Sequence, residues 1–244
     1  MHTMRVSIIV PAFNEERLIG GSLARINEAM QAFRAKQWET ELIVCDNNST
    51  DSTAELARAA GAKVVFEPVN QIARARNAGA AAASGDWFIF IDADSYPTRG
   101  LFAEAAEEIE TGTCLAGGCT LRLEGDYRMG KAITGLWNRI SRLGRLAAGS
   151  FIFCEAAAFR AVDGFSKELF AGEELDLSAK LKRKARESGK RIVILHRHPL
   201  LTSARKIHLY TLREHLQFMM RAALWRQRVL TNRAECHTWY DGRR

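Results

Sequence analysis

Long apolar runs, paired cysteines and glycine-rich phosphate loops are all missing from this 244-residue chain. No stretch approaches the roughly 20 apolar residues that span a bilayer, and no secretory segment is expected ahead of the first strand. The five cysteines, Cys45, Cys114, Cys119, Cys154 and Cys236, are scattered and form no CxxC pair. Neither a zinc site nor a disulfide framework is indicated, and a reducing cytoplasm is the expected setting. Neither GxGxxG nor GxxxxGKS/T occurs, which removes the usual glycine-rich phosphate cradles. Internal repeats, low-complexity linkers and a clear domain boundary are absent too.

What is present is ordinary in bulk. With 47% apolar and 26% charged residues, the chain can build one large α/β domain or two small ones. The net charge of +7 is uneven, because Lys182–Arg244 holds 16 Lys and Arg against 4 Asp and Glu. A basic C-terminal quarter points to a phosphate-bearing substrate, a membrane surface or nucleic acid, or else to a solvated positive face. Ile207–Leu230 reads as a long basic amphipathic helix, with Leu209, Leu212, Leu216, Met219 and Met220 set among Arg213, Arg221, Arg226 and Arg228. Such a helix packs on its own domain or lies on an anionic membrane. No nucleic-acid-binding motif accompanies the charge, so nucleic acid is not the expected partner.

The first half alternates strand and helix. Val6–Val10, Glu41–Cys45, Ala62–Phe66 and Trp87–Ile91 are short apolar strands. Glu15–Ala35, a segment from Asp51 or Ser52 to Ala60, and Asn70–Ser84 carry helical signals. This order predicts an α/β fold, a mostly parallel central sheet with helices on both faces. Ligands of such sheets sit beyond the C-terminal ends of the strands. Pro11–Glu15, Asp46–Asp51 and Asp92–Asp94 all fall there. Further on, Thr98–Glu110, Asp126–Leu146 and Glu174–Ser188 read as helices, and Thr113–Glu124, Ser150–Cys154 and Arg191–Leu195 as extended segments.

The most pointed run is Phe88–Asp94, FIFIDAD, where a strand buried on both faces ends in two carboxylates. Side chains two apart on a strand point the same way, so Asp92 and Asp94 can converge. Neighbouring anions withdrawn from water favour a cation, and a divalent ion carrying a polyphosphate would serve. The plainer alternative is an Asp-rich turn capping a helix near Pro97. Around this pair a nucleotide can be held by side chains: Asp46 accepting from a base N–H, Glu15 taking a ribose hydroxyl, Arg76 meeting phosphate. Each has a plainer reading. Asn14 and Glu15 can simply cap a helix, Asp46–Asp51 can be a polar turn, and Arg76 a surface charge.

Taken in order, VSIIVPAFNEE, LIVCDNNSTDST, ARARNAGAAAASGDWFIFIDAD and GEELDLSAKLK resemble the family 2 glycosyltransferases of GT-A fold, from Val6 to about Lys206. The resemblance implies inverting transfer of a sugar from a nucleotide-diphosphate donor, most often uridine-linked, to an acceptor hydroxyl. It implies that Pro11, Phe13, Glu15 and Asp46 line the nucleoside pocket and that Asp92 and Asp94 are the DxD. Asp94 would be the main ligand of Mn²⁺ or Mg²⁺, with Asp92 on ribose or metal. It divides residues 1–206 into a nucleotide-binding half, 5–97, and an acceptor half, 98–206, with 207–244 a basic helix and tail.

The family's base lies in an acidic pair ahead of a helix, and Glu174 of Glu173-Glu174-Leu175-Asp176-Leu177 matches it. The family more often has Asp there, so Glu173 is a rival, and Asp176 belongs to the same cluster. A helix start enriched in acids is the plainer alternative. The resemblance also offers His196 or His198 as a further metal ligand, although a polar strand end is the commoner use of such residues. Arg205, in TSARK, is placed near the diphosphate or over the fold. The acceptor is unspecified, lipid-linked or saccharide. A lipid-linked acceptor fits peripheral contact with the inner face of a membrane. Competing readings are a nucleotidyltransferase, a surface-binding protein and a metal-free scaffold on the same fold.

Overall fold

The computed structural model describes residues 3–125, 128–203 and 229–236. In the first half β1 (Arg5–Ala12), β2 (Glu39–Asp46), β3 (Lys63–Phe66) and β4 (Trp87–Ile91) alternate with α1 (Ile19–Ala29), α2 (Gln31–Arg34), α3 (Thr53–Ala59) and α4 (Ile72–Ala81). The second half runs β5 (Ser95–Tyr96), α5 (Arg99–Glu110), β6 (Cys114–Leu123), α6 (Arg128–Gly144), β7 (Phe151–Glu155), α7 (Ala156–Ala161), α8 (Glu173–Glu187) and β8 (Arg191–Thr202).

Among the described residues the strands form one sheet in the order β3-β2-β1-β4-β7-β6-β8-β5. The first four are mutually parallel, as the strand–helix alternation demands. The second half is mixed: β7 is antiparallel to β4 and β6, β5 is antiparallel to β8, and β6 and β8 are parallel. Alternation along β4 feeds two cores. Ile89 and Ile91 face the side covered by Leu23, Ile26, Phe33 and Phe102, while Phe88 and Phe90 face Ala73, Phe159, Leu177 and Leu181. Phe90 meets Phe165 edge-on at 5.0 Å, a favoured aromatic geometry.

Most elements lie within a few residues of their sequence-based bounds, with physical reasons for the departures. Pro11 continues β1 because β4 pairs with β1 only as far as Ile9, leaving Pro11 a single neighbour, opposite Cys45. The helix expected from Glu15 begins at Ile19, because Asn14–Glu16 are engaged by the loop after β2. The strand expected to stop at Leu195 continues to Thr202 across an irregularity opposite Thr120. The two-residue β5 and the short α7 have no periodic signal at all. Residues 204–228, including most of the helix expected at Ile207–Leu230, lie outside the described residues.

Candidate active site

β1, β2 and β4 end at one edge of the sheet, with Ala12 opposite Asp46. Beyond these ends the backbone has no ladder to join, so side chains supply its hydrogen bonds. Asn14, in the left-handed region at φ 51°, accepts from the Thr50 N–H at 2.8 Å, and its own N–H donates to Ser49 Oγ at 3.0 Å. The Glu15 N–H donates to Thr53 Oγ1 at 2.8 Å and the Glu16 N–H to Asp51 Oδ2 at 3.2 Å. These bonds latch the loop after β1 onto the loop after β2. Within this wall Glu15 and Asp46 are buried, and Asp46 Oδ1 accepts from the Ser49 N–H at 3.0 Å. Pro11 is buried beside them and Phe13 is half-buried.

The carboxylates after β4 are fixed from two sides. The Asp92 N–H donates to the Ser150 carbonyl, and the Ser203 N–H donates to the Asp94 carbonyl at 3.0 Å. Ser95 pairs with Thr202 of β8, and its carbonyl accepts from Ser22 Oγ of α1 at 2.8 Å. Asp94 is 6% exposed. Two strand-end carboxylates form a hard-oxygen donor set suited to Mn²⁺ or Mg²⁺, ions whose shells are commonly completed by substrate phosphates and water. Among the described residues no group of three His, Cys, Asp or Glu side chains forms a complete cage. The Asp92 and Asp94 carboxylates are of the donor type that such an ion takes.

Arg76 joins this edge to the second acid cluster. It lies on α4, 2% exposed, one turn before Gly79. A Cβ on Gly79 would come within 2.5 Å of Ile9 Cγ2, so glycine lets the helix close on the sheet. Arg76 Nη2 donates to Asp92 Oδ1 at 2.9 Å and Nη1 to Glu173 Oε1 at 2.7 Å, with the guanidinium carbon 5.1 Å from the Phe165 ring centre. Burial opposes its charge, but Asp92, Glu173 and Glu174 outweigh burial and raise its pKa.

Gly172, left-handed at φ 73°, turns the chain into α8. Glu173 points inward and is 2% exposed. Burial first, then repulsion from Glu174, pushes its carboxyl well above the usual carboxylate range, against the pull of Arg76. Glu174 is half-buried, and its Oε2 is shielded from water with no hydrogen-bond donor. Asp176 pairs with Lys180 at 2.8 Å. The Phe170 N–H donates to the Leu230 carbonyl at 2.7 Å, and burial first, then Glu173, raises the pKa of the Cys236 thiol. The described C-terminal residues thus brace the turn that carries the acids.

A sequence model described as glycosyl transferase family 2 matches residues 7–164. The chain belongs to that family. An uncharacterized glycosyltransferase of Mycobacterium bovis is 34% identical over 113 residues, 46% of this chain and 47% of that one. The chain spans about half the length of the curated relatives it matches first. The mannosyltransferase PcManGT of Pyrobaculum calidifontis, solved with GDP-Man and Mn²⁺, superposes with a TM-score of 0.68 at 21% identity, covering 93% of this chain and 63% of that one. Glucosyl-3-phosphoglycerate synthase of Mycobacterium tuberculosis, solved with Mn²⁺, UDP-glucose and phosphoglyceric acid, gives 0.63 at 19%, covering 92% and 78%. At these identities the two structures establish the GT-A fold.

In this family 2 chain Pro11, Phe13, Glu15, Asp46, Asp92 and Asp94 come to one sheet edge, and Arg76 ties Glu173 to it. Arg76 departs from both sequence readings. It is neither a surface charge nor directed at phosphate, because both terminal nitrogens are occupied by protein carboxylates. Its place was legible: Ala73, Arg76 and Ala80 lie on one helix face, and the alanines are buried. His196 and His198 are not brought to Asp94. They are exposed where β8 departs from regular pairing with β6, and the backbone N–H groups of His196, Arg197 and His198 all donate to the Glu104 carboxylate of α5. These bonds hold Glu104 below the usual carboxylate range despite its burial. Arg205 lies outside the described residues. The latch residues Thr50 and Thr53, the Phe165 platform and the brace at 229–236 were missed, since each acts through a contact distant in sequence.

Proposed function

We propose that this family 2 chain is an inverting, metal-dependent glycosyltransferase that moves a sugar from a nucleotide-diphosphate donor, uridine-linked, to an acceptor hydroxyl. The observation that carries the reading is convergence: Glu15, Asp46, Asp92 and Asp94 share one sheet edge, and Arg76 ties Asp92 to the Glu173–Glu174 corner. In this reading Pro11, Phe13, Glu15 and Asp46 hold the nucleoside, with Asp46 accepting from a base N–H. Asp94 and Asp92 hold a divalent ion, which when bound neutralises charge on the departing diphosphate. The PcManGT and glucosyl-3-phosphoglycerate synthase complexes contain Mn²⁺, in line with this assignment.

Glu174 is assigned the base. A single displacement needs one carboxylate to take the proton from the acceptor oxygen as that oxygen attacks opposite the leaving group. Glu173 is withdrawn onto Arg76, whereas half-buried Glu174 is the acid of the pair that an acceptor can approach. Glu173 and Arg76 are positioning residues, and Asp176 supports the helix start through Lys180 and the helix dipole.

The test is a calorimetric or thermal-shift panel of UDP, GDP, CDP and dTDP, each with Mn²⁺ and with EDTA. Binding of one diphosphate only with metal is the expected result and identifies the base. No binding of any diphosphate under either condition overturns the reading.

A further inference from the structure

Helix α6 is mounted with its apolar side outward. Ile133, Leu136, Ile140 and Leu143 recur at helical spacing and are exposed, Leu136 at 61% and Leu143 at 89%. The side that meets the sheet is polar instead. Asn138 Oδ1 accepts from the Leu121 N–H and Asn138 Nδ2 donates to the Leu121 carbonyl, both at 2.9 Å, and Ser141 is buried on the same side. An amphipathic helix normally buries its apolar stripe, yet among the described residues nothing buries this one.

The charge around the stripe points to what would cover it. Arg128–Arg145 contains five Lys and Arg and no acid. Lys131, Arg139, Arg142 and Arg145 are all exposed. Arg142 and Arg145 line a groove of about 370 Å³ beside the last turn of the helix. Other basic groups in that groove are engaged: Arg191 pairs with Glu108, and Arg197 with Glu107 and Glu104. No ion pair forms at Arg142 or Arg145 among the described residues. Lys182, whose ammonium donates to the Gly144 carbonyl, has its pKa lowered by partial burial and by the nearby Arg186 and Arg145. The positive field therefore continues past the end of the helix.

We propose that α6 docks the protein onto an anionic phospholipid bilayer. Ile133, Leu136, Ile140 and Leu143 enter the boundary between headgroups and acyl chains, and Lys131, Arg139, Arg142 and Arg145 meet lipid phosphates. The helix is 17 residues long, about 25 Å, and lies flat rather than spanning. It follows β6, whose last residue Leu123 is opposite Thr202, next to the Ser203 that bonds to Asp94. The docking surface thus adjoins the candidate active-site edge. The inference rests on α6 alone and holds whether or not the chain transfers sugar.

Vesicle flotation tests it on the full chain, with phosphatidylcholine alone and with phosphatidylcholine mixed with phosphatidylglycerol. The expected result is flotation with the anionic vesicles only, weakening as salt is raised. L136E/L143E abolishes flotation, and R139Q and R142Q each weaken it about fivefold. All four positions are exposed, so thermal midpoints stay near that of the wild type, and diphosphate binding is retained. Flotation that survives L136E/L143E overturns the assignment to α6, as does equal binding to neutral vesicles. A concentration-dependent dimer that L143E dissociates, with no vesicle binding, overturns it in favour of self-association.

Discussion

The two acid pairs of this chain are built in opposite ways. Asp92 and Asp94 stand two apart where a strand leaves the sheet, and their backbone groups are held by Ser150 and Ser203. Both lie past the end of the strand, within a tight turn that the Ser95 N–H closes onto the Asp92 carbonyl at 3.1 Å. Glu173 and Glu174 stand side by side at a helix start, where neighbours diverge by about 100°. One therefore goes inward to Arg76, 2% exposed, and the other is half-buried. The first pair is fixed through its backbone after a strand, whereas the second is split in burial by its place at a helix start. Arg76 links them, bonding Asp92 with one terminal nitrogen and Glu173 with the other.

The largest effect expected is at the strand pair. Asp94→Ala should remove metal-dependent donor binding and lower kcat/KM by about 10⁴-fold or more, since ion and diphosphate are lost together. Unchanged donor affinity in calorimetry would show that the pair has no common ligand. At the helix pair the loss should confine itself to turnover. Glu174→Gln is expected to keep donor binding and reduce kcat by about 10²- to 10⁴-fold. If Glu173→Gln does this and Glu174→Gln does not, the division of tasks runs the other way.

Breaking the link comes next. Arg76→Met removes the buried guanidinium that bonds Asp92 and Glu173, and breaking a buried pair of this kind typically lowers stability by about 3–5 kcal/mol. Chemical denaturation reads that loss. In the fraction that stays folded, kcat should fall about 100-fold from misplacement alone. Arg76→Lys should recover less than half of the stability, because an ammonium cannot hold two carboxylates in the planar fork that guanidinium provides. Full recovery by lysine would mean that charge, not geometry, joins the clusters.

These contrasts also mark where the sequence was readable. Strands β1, β2 and β4 were legible because the interior of a parallel sheet writes continuous apolar runs, and Trp87–Ile91 matches residue for residue. The three polar clusters followed, because topology alone sends parallel strand ends to one edge. The second half was harder. β5 is two residues long and exists only by pairing with the end of β8, so it leaves no local pattern. β8 continues past Leu195 because β6 and the Glu104 carboxylate satisfy its backbone through an irregular stretch, and His196 goes with it, away from Asp94. The basic amphipathic helix expected at Ile207–Leu230 lies almost wholly outside the described residues, and the described helix with an exposed apolar stripe is α6. Its composition was visible in sequence, but which side faces the sheet depends on Asn138 meeting Leu121, a contact that periodicity cannot supply.

The smallest effect expected is the most specific to the helix pair. Burial and Glu174 raise the Glu173 pKa above its ordinary value, so the folded protein keeps a proton that the unfolded chain has already released. Stability from this group is then fully present below the ordinary carboxylate pKa and declines as pH rises toward neutrality. Glu173→Gln keeps an oxygen for Arg76 to bond and removes the titration. Its thermal midpoint should fall less than that of the wild type between about pH 5 and about pH 8. Parallel pH curves for wild type and Glu173→Gln would mean that Arg76 alone keeps Glu173 ionised. Glu173 would then stay charged beside Glu174, with Arg76 rather than a retained proton offsetting that charge.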